Sequence, residues 1–498
     1  MTAYGIDLGT TYSCIAKVDG DRQAVVLKNN LGKEVTPSVV YFEDKDLPVV
    51  GFKAKSSLEE HPDLVRSLIK REMGTAKRWT YHGQEYGPEE VSALILRKLA
   101  EAADEEPGDE GTEVVISVPA YFGIAEQEAT RQAGVMAGLK VLGLIPEPVA
   151  AALYYHSTRQ FDRPRNVFVY DLGGGTFDTT VIRLSASEVR VVCTDGDRKL
   201  GGADWDKKVR DFLLAKFRRE YPDIDPDADD RERQLFALNI EAARKALSLQ
   251  KSRPVTMIFG GESMRVELTR DELEAITRVE LNRTMEITDR TVAAAAQLGV
   301  TSFDDVLLVG GMSQMPTIQD KLTERFKLEP KVFEPELAVA KGAAIYAALF
   351  GQVDIITAPK VTNVLPRALG LKVIDRSDPL YKTDRDKARR MIVHLLPANR
   401  SIPANSGPQT FATAFDDQNS VRLEVYEQAG ATPSPDLEHN VRVAECRLAN
   451  LPSGSAGREF QVTFLVTEDR RLRVHAFEAE SGQEVSVEVQ VGRHVIGD

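Results

Sequence analysis

The chain has 498 residues, of which 42% are hydrophobic and 28% charged, with a formal net charge of −13. This composition argues against a disordered or fibrous protein, and the acidic balance argues against a partner gripped by its phosphate backbone, such as nucleic acid. Length alone suggests about three domains.

Cys14, Cys193 and Cys446 lie far apart and form no CxxC pair, so neither a zinc site nor a disulfide framework is signalled. The segment Met1–Asp7 lacks the basic and apolar regions of a signal peptide. No run of about 18 apolar residues is present. The expectation is a cytoplasmic protein with no membrane association.

Up to about residue 360, short apolar strands alternate with helical patterns. The first strand runs into Asp7-Leu8-Gly9-Thr10-Thr11. Pro88-Glu89-Glu90 opens a helix, because proline suits a first turn and acids suit its dipole. Val91, Leu94, Ile95, Leu99 and Ala102 give that helix an apolar stripe. Val114–Val118 reads as a buried strand ended by Pro119. Val167–Tyr170 is another, leading into Asp171-Leu172-Gly173-Gly174-Gly175-Thr176, and Val306–Val309 is a third, leading into Gly310-Gly311. Such alternation is α/β organisation. The likeness of the Asp7 and Asp171 loops suggests two similar lobes, each presenting one loop; two unrelated turns is the plainer alternative.

After residue 360 the period becomes two. Val421, Leu423 and Val425 alternate with polar residues, as do Phe460, Val462 and Phe464, and Val485, Val487, Val489 and Val491. Strict alternation predicts half-buried antiparallel strands and a β-sandwich. The stretch 357–364 reads as a linker between domains at 1–356 and 365–498. The charged insertion Asp375–Arg390 predicts a long loop between the first two sandwich strands.

No GxxxxGK[ST] loop is present, which excludes a P-loop NTPase. The two Asp-x-Gly loops offer another phosphate grip: glycine admits a phosphate close to backbone N–H groups, and Thr10, Thr11 and Thr176 add hydroxyls. The leading aspartates can reach a magnesium ion, largely through its waters. Two such loops facing each other clamp phosphates from both sides. Gly310-Gly311 suits admission of a nucleotide's flat parts or a plain tight turn. Glu241, Arg244, Lys245 and Ser248 share one helical face, fit either for a ribose and adenine edge or for solvent.

Several segments then occur in order: Gly5–Ser13, Val118–Phe122, Glu147–Ala152, Asp171–Asp178, Leu200–Asp206 and Gly310–Pro316. Together they resemble the signatures of the seventy-kilodalton heat-shock chaperones (DnaK-like) over nearly the whole chain. The resemblance implies a two-lobed, actin-like α/β ATPase domain followed by an all-β sandwich that binds extended peptide. It implies ATP or ADP and magnesium as cofactors, unfolded polypeptide as partner, and a J-domain co-chaperone and nucleotide exchange factor as helpers.

Carried over residue by residue, the resemblance implies that Asp7, Glu147 and Asp171 surround magnesium and the attacking water. Gly9, Thr10, Thr11 and Tyr12 form the first phosphate loop, and Gly173, Gly174, Gly175 and Thr176 the second. Lys70, within Ile69–Gly74, matches the catalytic lysine. Glu241, Arg244, Lys245 and Ser248 match the adenosine-binding helix, while Gly201, Gly202, Gly310, Gly311 and Gln314 line the cleft. Leu371, Ile374, Phe411, Ala414, Val421 and Leu423 match the peptide groove; for Phe411 and Leu423 the alternation fits sandwich core equally.

Three departures accompany the match. The chain ends at Asp498, before the family's helical lid, so a lidless protein is expected. Pro359-Lys360-Val361-Thr362-Asn363 replaces the family's leucine-rich linker, and Gln314 and Gln127 replace arginines. Retained catalytic positions with altered coupling positions predict an ATPase with altered allostery. The alternative is a nucleotide-gated scaffold or co-chaperone with little turnover and a dedicated partner.

Overall fold

The computed structural model describes residues 2–45, 47–104, 112–350 and 359–488. The chain divides into two compact units. The first comprises Met1–Tyr121, Thr130–Arg190 and Thr194–Lys360. The second gathers the residues from Val361 onward, together with Phe122–Ala129 and Val191–Cys193. The expected linker residues Thr357 and Ala358, and the strand residues Val489 and Val491, lie outside the described residues.

Two sheets of the first unit repeat one plan. In one, the strand Ala3–Asp7 runs parallel to Glu113–Val118, which runs parallel to Lys140–Pro146. On its other side Ala3–Asp7 folds back into the antiparallel Tyr12–Val18. In the other sheet, Arg165–Leu172 runs parallel to Asp305–Val309, itself parallel to Lys331–Val332, and folds back into Phe177–Ser185. The registers correspond: Asp7 faces Cys14, and Asp171 faces Asp178. Val114, Val115, Ile116 and Val118 are buried throughout, as expected of parallel strands covered on both faces.

A helix of small residues, Ala338–Ala348, underlies the strand Ala3–Asp7. It packs on the helix Glu147–Ser157 and on the strand Ala3–Asp7 so closely that only glycine fits at two crossings. A Cβ at Gly342 would lie 1.8 Å from the Ala150 carbonyl oxygen, and one at Gly5 would lie 2.0 Å from the Ala344 nitrogen. These crossings fix the two element ends that carry Asp7 and Glu147.

The second unit is a β-sandwich. One sheet orders Arg390–Leu396, Leu369–Ile374, Val421–Gln428 and Asn440–Leu448, and the other is built on Glu459–Val466, Leu472–Glu478 and Gln483–Glu488. Alternate residues of both sheets, among them Leu369, Val425, Val462, Phe464 and Val474, form its core. Val485 and Val487 are half-buried against that core. The insertion Asp375–Arg390 spans the connection between the first two strands and contains a short 3-10 turn, Pro379–Lys382. Gln127 is buried and donates to the Phe122 carbonyl at 2.6 Å. Among the described residues, no helix is long and apolar enough to cross a membrane.

Candidate nucleotide site

The two Asp-Gly hairpins meet face to face. A Cβ at Gly174 would lie 2.0 Å from the Thr11 hydroxyl oxygen, and one at Gly175 would lie 2.5 Å from the Thr10 methyl. Each hairpin is also closed on itself. Gly9 tolerates no side chain because its Cβ would strike the Tyr12 carbonyl at 1.9 Å. Gly9 donates to the Ser13 hydroxyl, and the Ser38 hydroxyl donates to the Gly9 carbonyl at 2.7 Å.

The second hairpin is held by the start of the helix Gly202–Glu220. The Gly202 and Ala203 amides donate to the Gly173 and Gly174 carbonyls at 3.1 and 2.9 Å. Carbonyl oxygens that would repel a phosphate are thereby occupied. Gly201 passes so near Gly175 that its Cβ would lie 2.5 Å from the Gly175 nitrogen. Thr10 and Thr176 are both buried at this junction.

Behind the hairpins sits a buried charged group. Lys70 leaves a 3-10 turn, Ile69–Glu72, and its ammonium donates to Glu147, the first residue of the helix Glu147–Ser157. Asp7, Asp171 and Asp178 act electrostatically on the same group. Burial, then the charge of Glu147, lifts Asp7 to about 6, against Lys70 and a 2.8 Å hydrogen bond from Ser117. Burial, then Glu147, lifts Asp178 to about 7, although the Ala120 and Tyr121 amides donate to it at 3.0 Å. Asp171 is pushed well above the carboxylate range by burial and by Glu147, Asp178 and Asp7. Burial pushes the Lys70 ammonium down, but Glu147 and Asp7 outweigh it and hold it above its ordinary value.

Four carboxylates thus face one ammonium, a balance that lacks positive charge. The Asp171 Oδ2 atom is buried with no hydrogen-bond partner. A Cβ at Gly310 would lie 2.8 Å from its sister oxygen, and Gly310 has φ 79°, a region that favours glycine. Among the described residues, no three acidic, His or Cys side chains converge as a direct metal cage. An oxygen-only set with an orphaned carboxylate atom fits a hard divalent cation that keeps most of its waters.

A cleft of about 310 Å³ opens in front of the hairpins, lined among others by Thr10, Thr11, Gly174, Lys55, Glu241 and Arg244. Glu241 and Arg244 project from the helix Asp230–Leu247. Arg244 is buried and paired with Asp206, its Nε at 2.5 Å and Nη2 at 3.1 Å from the two carboxylate oxygens. Lys55 reaches Glu241 at 3.2 Å and the Tyr12 hydroxyl at 3.2 Å. Lys245 pairs with Glu241 at 2.5 Å. The Lys55 and Lys245 ammoniums lie 5.1 and 4.9 Å from the Tyr12 ring centre, within cation–π range. Gly202 backs onto Arg244 and Met312.

Ser248 caps the end of the Asp230–Leu247 helix, where its carbonyl takes a bond from Arg270. Gly311 and Gln314 are exposed on the short turn Gly311–Gln314. Leu371 and Leu423 are fully buried members of the sandwich core rather than surface lining. Ile374, Phe411, Ala414 and Val421 are half-buried.

Sequence reasoning missed several residues that build the site. Asp178 and Asp206 lay inside the recognised segments, and their charge beside glycine-rich turns was the available signal. Lys55, Arg71 and Ser117 carried no local signal. Arg71 pairs with Asp204 at 2.6 Å, across 133 residues of sequence.

Comparison with known proteins gives the class. A family model described as "Hsp70 protein" matches residues 3–496. A chaperone protein DnaK from Thermosipho melanesiensis is 33% identical over 504 residues, covering 99% of this chain and 81% of that protein. Proteins of the same name from Thermotoga petrophila and Thermosipho africanus are 34% and 32% identical, each over 99% of this chain. The chain belongs to the Hsp70 family. With that family it is an ATP-hydrolysing chaperone of unfolded polypeptide.

Proposed function

We propose that the cleft holds a magnesium nucleotide, that its hydrolysis is carried by Lys70, Glu147, Asp171 and Thr176, and that the sandwich takes extended peptide. The observation that carries this reading is the pair of opposed Gly-Thr hairpins over a buried ammonium–carboxylate group with an orphaned Asp171 oxygen.

Hydrolysis of a phosphoanhydride needs positioning and charge stabilisation more than covalent chemistry. In this reading Gly9–Tyr12 and Gly173–Thr176 donate to the phosphates from opposite sides. Lys70 offsets charge on the terminal phosphate, and Glu147 and Asp171 orient the attacking water. Asp7 and Asp171 hold the cation mostly through its waters, and the cation supplies neutralisation of phosphate charge. Glu241, Arg244 and Lys245 hold the ribose and base side, with Arg244 fixed by Asp206 and Lys55 joined to Glu241.

An extended peptide is bound by backbone hydrogen bonds and a few apolar pockets. The half-buried Ile374, Phe411, Ala414 and Val421 are the side chains available for such pockets. J-domain and nucleotide-exchange partners follow from the family likeness. The test is the ATPase rate with and without a panel of unfolded peptides. Stimulation supports the reading; nucleotide binding without turnover favours a nucleotide-gated scaffold and overturns it.

A further inference from the structure

The first hairpin is tied by two hydroxyls. Ser13 and Ser38 are both withdrawn from solvent. The Gly9 amide donates to the Ser13 hydroxyl at 3.1 Å, and the Ser38 hydroxyl donates to the Gly9 carbonyl at 2.7 Å. The two hydroxyl oxygens lie 2.8 Å apart. A hydroxyl has one proton to donate, and that of Ser38 is committed to Gly9. Ser13 is therefore the donor between them. The bonds run in one direction round a closed ring: from the Gly9 amide to Ser13, from Ser13 to Ser38, and from Ser38 back to the Gly9 carbonyl.

Ser38 holds the hairpin at a second point, where its amide donates to the Thr11 carbonyl at 2.9 Å. It is brought there by the antiparallel pairing of Thr36–Pro37 with Tyr12 and Ser13. The second hairpin is held by a different device with the same result: the Gly202 and Ala203 amides, at a helix start, occupy the Gly173 and Gly174 carbonyls. On the first hairpin one residue ties two carbonyls with its amide and its hydroxyl. Thr10, Thr11 and Ser38 line the cleft together.

We propose that Ser38 is a positioning residue for the phosphates: acting through its ring with Ser13, it keeps the Gly9 carbonyl turned from the cleft and so sets phosphate affinity. The proposal rests on the reading of the cleft as a nucleotide site. The Ser38 hydroxyl and amide both donate to backbone carbonyls, so the residue acts through Gly9 and Thr11 rather than on a phosphate. Without the hydroxyl, the Gly9 carbonyl is released in a backbone that glycine leaves free to rotate. A carbonyl oxygen turned toward a phosphate repels it. The two serines act together, because each hydroxyl of the ring both donates and accepts, and bonds in such a chain strengthen one another.

The test is calorimetric titration of the full chain with two probes, magnesium ADP and adenosine, the second of which carries no phosphate. Ser38→Ala is expected to weaken ADP about tenfold, the effect of losing one hydrogen bond to a buried carbonyl, and to leave adenosine affinity unchanged. Equal losses for both probes overturn the proposal, since that is the behaviour of a general loosening of the fold. An unchanged ADP affinity overturns it as well. Ser13→Ala opens the same ring and carries the same expectation, so it decides the matter if Ser38→Ala does not fold.

The ring is read from the double variant. Ser13→Ala/Ser38→Ala should weaken ADP by less than the product of the two single effects, because a ring opened once is already open. Losses that simply multiply overturn the ring. If the unaltered chain binds ADP no more tightly than adenosine, the nucleotide reading fails and the role of Ser38 falls with it. Phosphate-dependent binding that survives both single substitutions defeats the positioning role alone.

Discussion

The Lys70 ammonium donates to the Glu147 carboxylate, with both side chains withdrawn from solvent. Glu147 begins its helix, and Lys70 lies in the short turn Ile69–Glu72, 77 residues earlier in sequence. Lys70 thereby brings an ammonium into the buried group, where Glu147, Asp7 and Asp171 all act on it. Its energetic meaning follows from charge balance, because an unpaired carboxylate in that setting is costly.

Lys70→Ala should lower single-turnover ATP hydrolysis by about 10²–10³, the usual loss when one preorganised charge donor is removed. Nucleotide binding should be nearly unchanged, because the hairpins and the Arg244 wall remain. The nucleotide-free variant should lose about 3–5 kcal/mol of stability, as when one partner of a buried ion pair is removed. Single-turnover kinetics, nucleotide titration and thermal melting measure the three effects. Unchanged single-turnover hydrolysis would remove Lys70 from the chemistry.

Asp178 gives the nucleotide-free protein a pH dependence of definite sign. Burial, then Glu147, raises its folded pKa from 3.8 to about 7. Between those values the folded state binds a proton that the unfolded state has released. The associated stability is complete below about pH 4, declines as pH rises through the window and is gone above the folded pKa. Melting temperature should therefore fall from pH 4 to 7 more steeply in the unaltered protein than in Asp178→Asn. Asp7, raised to about 6 by burial and Glu147, contributes in the same direction over the lower part of that window. Parallel melting curves for the two proteins would show that Asp178 is ionised throughout.

The sequence marked the hairpins because aspartate, glycine and threonine stand together in each of them. Gly9 stands where a Cβ would strike the Tyr12 carbonyl of its own hairpin, Gly174 and Gly175 stand where one would strike the opposite hairpin, and the aspartates lie at the ends of strands whose apolar pattern is plain. Lys55 and Arg71 were illegible because each acts on a partner brought near only by tertiary folding. Lys55 and Glu241 are 186 residues apart. In the sandwich, alternation put Leu423 on one face with Val421 and Val425, and Leu371 entered only through the family resemblance; period two does not reveal which face is covered. The opposite sheet decides that, and both side chains lie in the core.

Asp206 fixes Arg244 through two hydrogen bonds of a planar fork, an arrangement that lysine cannot reproduce. Asp206→Ala should leave that guanidinium unheld at the cleft wall and weaken nucleotide affinity about tenfold, close to 1.4 kcal/mol. Gln314→Arg should act in the other direction, because a planar cation at this exposed turn can stack on a base and gain roughly 0.5–2 kcal/mol. Equilibrium titration with a fluorescent ATP analogue checks both variants. The second prediction fails if the affinity of Gln314→Arg matches that of the unaltered chain.

The clearest test of the opposed hairpins is a side chain placed between them. At Gly174 a Cβ would lie 2.0 Å from the Thr11 hydroxyl oxygen and 3.3 Å from the Thr11 Cβ. Gly174→Ala must therefore push the loops apart, at a cost of about 1–3 kcal/mol for an overpacked contact. Part of that cost falls on the nucleotide, whose phosphates need both loops at once, so affinity should drop about 10- to 100-fold. Thr11→Ala removes the oxygen that the new methyl strikes, but it also removes a hydroxyl donor and should weaken binding modestly by itself. If the hairpins meet as described, the double variant Gly174→Ala/Thr11→Ala should bind nucleotide more tightly than Gly174→Ala alone. That coupling is read from a double-mutant cycle of nucleotide affinities, with melting curves showing that all three variants are folded. Strictly additive losses would mean that the two loops do not touch when nucleotide is bound.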